Sequence, residues 1–257
     1  MILDTIIETK KEEVEQFKKQ TSVSALEKTI AGLEPCRSFR QALTSEDCNI
    51  IAEVKCASPS RGRLIADFDP VRIAGVYEQN GAAAISVLTD EKYFLGHKNY
   101  LTKIKQKVKL PLLRKDFIID PIQIYETRTI GADAILLIVH VLGKKLTEFI
   151  LLSKELGLSS LVEVHTEKEL DLALAADAEI IGINNRNLDT FVTDIKTSSK
   201  LKARMPAGKI IVAESGIMSR ADIDILMQAK IHAFLIGEAL ITAPDIGKKL
   251  RAFKGVR

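Results

Sequence analysis

Residues 130–164 read IGADAILLIVHVLGKKLTEFILLSKELGLSSLVEV and contain the pattern that decides the fold. The apolar runs at 132–139 and 160–164 have strand length and lack strict alternation, so each is expected to be a strand buried on both faces. The segment 147–156 between them has helical spacing and is followed by Gly157, as a helix with a glycine C-cap would be. The stretch therefore predicts a strand, a helix and a second strand in succession.

The same succession of strand-length apolar runs and helical segments recurs along the chain from residue 50 onward. Six further strand-length apolar runs lie at 50–54, 82–88, 110–113, 180–183, 209–213 and 233–236, with helical spacing between them at 70–80, 98–108, 121–130, 167–176 and 220–230. Eight strand–helix units in about 210 residues predict an eight-stranded parallel βα (TIM) barrel. A doubly wound sheet is the alternative, but no G-x-G-x-x-G follows the first strand.

Residues 1–49 precede the first strand and have a helical pattern in place of strand-length apolar runs. Leu3, Ile7, Val14 and Phe17 fall on one face of a helical pattern, with charged residues elsewhere. No linker or low-complexity stretch follows. We therefore expect a single TIM-barrel domain over 1–257, with an N-terminal helical extension at 1–49 and the barrel at 50–257.

The composition excludes several classes of protein. Of 257 residues, 46% are hydrophobic and 28% charged, and the net charge of +3 does not by itself indicate nucleic-acid binding. The three cysteines form no C-x-x-C pair and the four histidines form no H-E-x-x-H motif, so neither a disulfide framework nor a metal site is expected. The N-terminus resembles no signal peptide, and no apolar run could span a bilayer. These features predict a cytoplasmic protein.

Charged and amide side chains stand at the downstream ends of the predicted strands. They are Glu53, Lys55, Arg114, Lys115, Glu163, Asn184, Arg186 and Glu214. In a βα barrel those ends meet at one face, where such enzymes place their chemistry, and residues two apart on a strand point the same way. The set predicts a mouth suited to an anionic substrate and to proton transfer.

Each of these residues also has an ordinary structural interpretation. Glu53 and Lys55 could form only an ion pair, Glu163 could be a charge that merely ends a strand, and residues 114–116 and Arg186 could lie in solvated turns. His165 shares the parity of Glu163, but a lone histidine at a strand end is more often structural, so we do not place it in the site. The joint placement at five strand ends favours function.

The last two strands are each followed by a small residue and a glycine. The sequences are Glu214-Ser215-Gly216 and Ile236-Gly237-Glu238. In barrels, the loops after strands seven and eight often hold a phosphate group through backbone N–H groups, and glycine allows close approach. Two ordinary tight turns are the alternative, and the Glu238 side chain would repel phosphate unless it points away.

Six lysines lie between Lys92 and Lys109. Such a run could bind RNA, but aromatic interleaving is limited to Tyr93, Phe94 and Tyr100, and the exposed face of a helix is the favoured interpretation. A non-catalytic RNA-binding barrel remains as an alternative.

Seven stretches together resemble the indole-3-glycerol phosphate synthase family. They are IIAEVKCASPSRG (50–62), YFLGH (93–97), LPLLRKDFIID (110–120), LVEVH (161–165), IIGINNRNL (180–188), VAESGI (212–217) and FLIGEAL (234–240). The similarity runs in order over nearly the whole chain. Cys56 and Arg61 stand where lysines are more usual in the family.

The resemblance implies a carboxy-lyase of tryptophan biosynthesis that needs no cofactor and no metal. Its substrate is 1-(2-carboxyphenylamino)-1-deoxyribulose 5-phosphate, and its products are indole-3-glycerol phosphate, CO2 and water. Lys115 would be the general acid that protonates the ketone oxygen during ring closure. Lys55 would be a second acid or would stabilise the departing hydroxyl. Glu163 would be the general base or would stabilise positive charge on the anilino nitrogen, and Glu53 would orient Lys55 or share the base role.

The resemblance also implies binding residues. Four would contact the substrate in the pocket: Ser58, Phe94, Asn184 and Arg186, the last as a fork for the carboxylate. Four would hold the phosphate through backbone amides: Ser215, Gly216, Gly237 and Glu238. Residues 1–49 would close over the mouth as a lid.

The expected partner is a phosphorylated small molecule, with no nucleic acid and no membrane. We expect a monomer, and association with other tryptophan-pathway enzymes stays open. The nearest rival function is that of a phosphoribosylanthranilate isomerase-like phosphate-binding barrel, which would use a cysteine–aspartate pair. Cys56, just after the first strand, is the cysteine that such a pair would use.

Overall fold

The computed structural model describes residues 2–187 and 192–256, so Leu188 of the I-N-N-R-N-L motif lies outside the described residues. Eight parallel strands close into a barrel in chain order, because β1 pairs with both β2 and β8. The strands are β1 (Asn49–Val54), β2 (Ala84–Leu88), β3 (Leu112–Lys115), β4 (Ala134–Ile138), β5 (Ser159–Val164), β6 (Ile180–Asn184), β7 (Ile210–Glu214) and β8 (Ala233–Ile236). The predicted TIM barrel is confirmed, and the doubly wound alternative is wrong.

Three strands run further at their downstream ends than the apolar runs predict. Strands β3, β6 and β7 continue onto Lys115, Asn184 and Glu214, because parallel pairing persists there: Leu88 pairs with Lys115, and Asn184 with Glu214. The last residues of these strands are therefore polar and belong to the barrel itself. A rigid ladder, and not a loop, positions them.

Helices cover the outside of the barrel. They are α4 (Pro70–Gln79), α5 (Lys98–Lys105), α6 (Pro121–Thr129), α7 (Val139–Leu142), α8 (Leu146–Glu155), α9 (Glu167–Ala175), α10 (Lys196–Lys202), α11 (Arg220–Gln228), α12 (Glu238–Ile241) and α13 (Ile246–Lys254), with a 3-10 turn at Gly143–Lys145 and a small hairpin of Ala57–Ser58 with Gly62–Arg63. The C-cap glycine predicted at 157 has positive φ, as do Gly81 and Gly131 just after α4 and α6. Helix α10, with the polar sequence KTSSKLK, was not predicted.

Residues 2–48 form α1 (Ile2–Gln20), α2 (Val23–Ile30) and α3 (Phe39–Ala42), and they contact both ends of the barrel. Phe39 and Leu43 pack among the inward-facing residues at the amino-terminal end of the barrel, including Ile51. Helix α1 lies at the opposite end. Its buried face carries Leu3, Ile6, Lys10 and Val14, whereas Ile7 and Phe17 are only half-buried.

Lys10 is the unexpected member of that buried face. Its Nζ lies 2.9 Å from Asp116 Oδ1 and 3.2 Å from Asp90 Oδ2, and both aspartates are buried. On the other side of Asp116, Arg114 Nη2 lies 3.1 Å from Oδ2. The charges compensate one another where water is excluded, so this cluster fixes α1 to the loops that follow β2 and β3.

Among the residues described, no helix is long and apolar enough to cross a membrane.

Candidate active site

A cavity of about 650 Å³ opens at the carboxyl-terminal end of the barrel. All twelve residues predicted for the site line it: Glu53, Lys55, Ser58, Phe94, Lys115, Glu163, Asn184, Arg186, Ser215, Gly216, Gly237 and Glu238. Three residues of helix α1 also line the cavity: Ile2, Leu3 and Ile6. The strand ends therefore bring together residues that are up to 185 positions apart (238 − 53) in the sequence.

Lys115 stands between two carboxylates at the floor of the cavity. Its Nζ donates to Glu214 Oε2 at 3.0 Å and to Glu163 Oε2 at 3.3 Å. Burial disfavours the charged amine, but the carboxylates of Glu214, Glu163 and Glu53 outweigh it and raise the pKa of Lys115. The lysine is therefore protonated at neutral pH, as a general acid must be.

The two carboxylates differ in their surroundings. Burial and the neighbouring carboxylates raise the pKa of Glu214 to about 7, despite the opposing charge of Lys115. Burial also opposes ionisation of Glu163, but Lys115 and His165, together with a hydrogen bond from Asn184 Nδ2, lower its pKa. Glu214 marks a strand end in the sequence like the others, yet only the structure shows that its side chain contacts Lys115.

Glu53 and Lys55 form the second acid–base pair, with Lys55 Nζ 2.6 Å from Glu53 Oε1. Alternation along the chain directs both into the cavity, as predicted. Glycines from the neighbouring strands lie against the buried carboxylates. A Cβ on Gly237 would overlap Glu53 Oε1, and a Cβ on Gly182 would overlap Glu214 Oε1. Any larger residue at these two positions would displace a carboxylate.

Arg186 and Asn184 extend from the end of β6. The Asn184 Oδ1 accepts the backbone N–H of Arg186 at 3.0 Å, which fixes the turn. The Arg186 guanidinium is one-third exposed and lies 4.0 Å from Glu238 Oε2. Arg61, from the loop after β1, also pairs with Glu238. The acidic side chain of Glu238 is thus turned towards two arginines at the rim.

The turns after β7 and β8 form a backbone cradle at one side of the cavity. Ser215 and Gly216 have φ of +65° and +77° in succession, and Asn185 Nδ2 donates to the Ser215 carbonyl at 3.1 Å. A Cβ on Gly216 would overlap Thr193 Cγ2, so this position too requires glycine. Gly237 precedes the short helix α12, whose first turn begins at the cavity wall.

One part of the cavity wall is apolar. Phe94 and Phe117 lie with ring centroids 6.1 Å apart, and Leu88 and Ile138 continue the surface. Ser58 Oγ is buried nearby without a hydrogen-bond partner among the described residues. The cavity therefore combines an apolar wall, a charged floor and a polar rim, which suits a ligand with an aromatic ring and anionic groups.

Several residues considered from the sequence lie elsewhere. Arg114 points outward into the buried cluster with Asp116 and Glu126, so it is neither solvated nor part of the cavity. Cys56 is buried and does not line the cavity, which removes the cysteine of the isomerase alternative. Within the lysine run, Lys98 and Lys105 pair with acidic residues, as expected for an ordinary helix face.

Comparisons with known proteins agree with this architecture. The sequence pattern of the indole-3-glycerol phosphate synthase family matches residues 3–253. Similar relatives named indole-3-glycerol phosphate synthase include one from Desulforamulus reducens, 49% identical over 98% of this chain and 96% of its own length. Another, from Chlorobium chlorochromatii, is 50% identical over 95% of this chain and 96% of its own length.

Solved structures extend the likeness of fold. A 3-hexulose-6-phosphate synthase superposes with a TM-score of 0.65 at 12% identity, covering 81% of this chain and all of its own. A thiamine phosphate pyrophosphorylase from Pyrococcus furiosus superposes with a TM-score of 0.63 at 13% identity, covering 85% of this chain and 96% of its own. At such identities the likeness concerns the fold alone.

The closed barrel with acidic and basic side chains at its carboxyl-terminal mouth defines an enzyme of the βα-barrel class. The similarity to indole-3-glycerol phosphate synthases makes it a carboxy-lyase. The chain belongs to the indole-3-glycerol phosphate synthase family.

Proposed function

We propose that this protein converts 1-(2-carboxyphenylamino)-1-deoxyribulose 5-phosphate to indole-3-glycerol phosphate, CO2 and water. The observation that carries the proposal is the position of the Lys115 Nζ, held between the carboxylates of Glu163 and Glu214 on the floor of the cavity. The aromatic carbon that bears the carboxylate attacks the ketone carbon of the substrate. Lys115 donates its proton to the ketone oxygen as that oxygen becomes a hydroxyl.

Two further steps complete the reaction. The carboxylate leaves as CO2, and its bonding electrons restore the aromatic ring. The new hydroxyl then leaves as water with a second proton, for which Lys55 beside Glu53 is the donor, and a base removes one proton as the indole ring forms. Two protons are donated and one is accepted. The net uptake of one proton is what loss of a carboxylate as neutral CO2 requires.

The remaining residues bind and orient the substrate. Arg186 anchors the substrate carboxylate as a fork, with Asn184 beside it. Phe94 and Ser58 contact the ring end of the substrate. The backbone amides of four residues hold the phosphate: Ser215, Gly216, Gly237 and Glu238. Support for the phosphate site comes from the two successive positive-φ residues at 215 and 216, and from the Glu238 side chain, which turns towards Arg61 and Arg186.

Helix α1 acts as a lid over this site within the single domain that we propose for 1–257. Its Ile2, Leu3 and Ile6 line the cavity, so its removal would open the apolar wall to water. The proposal confines the lid to α1, because α3 packs at the other end of the barrel. Deleting residues 2–20 should raise KM sharply, and an unchanged KM would refute the lid.

We propose a cytoplasmic monomer that binds a phosphorylated small molecule and neither nucleic acid nor membrane.

Incubating the purified protein with the carboxyphenylamino deoxyribulose phosphate tests the proposed reaction. We expect indole absorbance and fluorescence to develop with release of one CO2 per indole. A protein that binds this compound but forms neither product would contradict the proposal.

A further inference from the structure

His165 lies immediately behind the active-site floor and has no part in the mechanism above. Its side chain is 8% exposed, and its Nε2 lies 3.4 Å from Glu163 Oε1. That nitrogen is buried and makes no hydrogen bond to any described residue in this geometry. The ring is therefore directed at the carboxylate that Lys115 contacts from the other side.

Glu169, in the first turn of α9, holds His165 from behind. Its Oε2 accepts the backbone N–H of His165 at 2.7 Å and lies 3.3 Å from the ring Nδ1. Burial disfavours the imidazolium, but the hydrogen bond to Glu169 and the negative charges of Glu163 and Glu169 outweigh it and raise the pKa of His165. The other carboxylate oxygen of Glu169, Oε1, lies 3.2 Å from Nδ1 of the exposed His140.

The two carboxylates that flank Lys115 are consequently not equivalent. Glu163 has three cationic or donor neighbours, namely Lys115, Asn184 and His165. Glu214 has Lys115, and its Oε1 finds no hydrogen-bond partner among the described residues. When environments push the pKa values of neighbouring groups apart, the pair divides into an acid and a base.

We propose that His165 and Glu169 are positioning residues that keep the Glu163 carboxylate ionised for the base role that the family resemblance implies for it. The inference rests on the proposed function. Glu214, whose pKa is raised to about 7 by burial and the neighbouring carboxylates, is only partly ionised at neutral pH. The proton that Glu163 accepts from the substrate forms an O–H bond at the carboxylate, and the C–H or N–H electron pair stays in the indole ring.

The proposal predicts the direction in which kcat/KM changes with pH. Glu163 must be ionised to act as a base, so kcat/KM falls as pH drops through its pKa. Removing the positive charge of His165 raises that pKa, so the acid limb moves to higher pH. The charged and titratable groups around the His165 ring are Glu163 on β5, Glu169 on α9, Glu214 on β7 and, at the outer surface, Glu167, Lys168 and Lys200.

The test compares profiles of kcat and kcat/KM against pH for the wild type and three variants. His165→Gln removes the charge, and Glu169→Gln keeps an acceptor for the backbone N–H while removing the charge that stabilises the imidazolium. Glu167→Gln is the matched control on the same helix turn, because Glu167 pairs with Lys200 and Arg204 at the surface. We expect the acid limb to move up by about one pH unit in His165→Gln and by less in Glu169→Gln. The control should keep the wild-type limb.

The alkaline plateau separates positioning from a merely structural role. There Glu163 is ionised in every variant, so kcat of His165→Gln should return to within about threefold of wild type. A loss of equal size at every pH, or an acid limb that does not move, would overturn the proposal. If His165→Gln does not fold, Glu169→Gln carries the same prediction. Absence of turnover by the wild type would refute the proposed function instead.

Discussion

Replacing Lys10 by methionine tests how α1 is held to the barrel. The substitution keeps the volume and apolar stem of the side chain but leaves Asp90 and Asp116 buried without their common cation. Breaking a buried ion pair from one side costs about 3–5 kcal/mol, because a charge stays buried and uncompensated. At about 2–4 °C per kcal/mol for a chain of this size, the melting temperature should fall by roughly 6–20 °C.

Lys11→Met is the matched control. Lys11 is the next residue on the same helix, and its partner Glu8, 2.6 Å away, is also exposed. Surface pairs of this kind contribute up to about 1 kcal/mol, so the control should stay close to wild type. Thermal and urea unfolding followed by circular dichroism would measure the stability of both variants, and hydrogen exchange of the α1 amides would measure how firmly the helix is held. Equal stability of the two variants would refute the role assigned to the buried cluster.

Three further outcomes follow from the structure. Arg186→Ala should mainly raise KM, since it removes an anchor for the carboxylate; a fall in kcat alone, measured by steady-state kinetics, would argue against anchoring. Burial opposes ionisation of Asp116, but Lys10 and Arg114 outweigh it and lower its pKa from 3.8 to about 2. The free energy of unfolding should therefore lose about 2 kcal/mol as pH falls from about 4 to 2, and urea titrations of Asp116→Asn should lack that loss. Gly182→Ala should lower kcat and cost about 1–3 kcal/mol of stability, because the new Cβ overlaps Glu214 Oε1; unchanged kinetics would mean that this carboxylate is not needed beside Lys115.

The fold could be predicted from the sequence because each barrel strand is buried on both faces. Such a strand is an apolar run of a length that a helix rarely has, and glycines at positive φ mark the helix ends between runs. The bounds missed at β3, β6 and β7 are those where pairing continues onto polar residues. Helix α10 escaped prediction because its sequence has no apolar face to detect.

The site could be predicted as a set of residues but not as a set of contacts. Alternation along a strand says which side chains enter the barrel, as for Glu53 and Lys55, whereas binding residues in the loops, such as Ser58 and Phe94, could be named only from the family resemblance. Alternation cannot say which carboxylate faces Lys115 across the barrel, so the sequence placed Glu214 at the mouth without a role. The same limit applies to Lys10 and His165. Each is an isolated polar residue in its own segment, and its partners come from distant parts of the chain.

Turnover of the carboxyphenylamino deoxyribulose phosphate by Lys115→Ala tests the central claim most directly. With the fold verified by circular dichroism, the account predicts that indole formation by this variant is at least ~100-fold slower in kcat than by wild type, the usual scale for a lost general acid. A variant that folds normally and keeps kcat near that of the wild type would contradict the assignment of Lys115, and with it the mechanism built on the floor of the cavity.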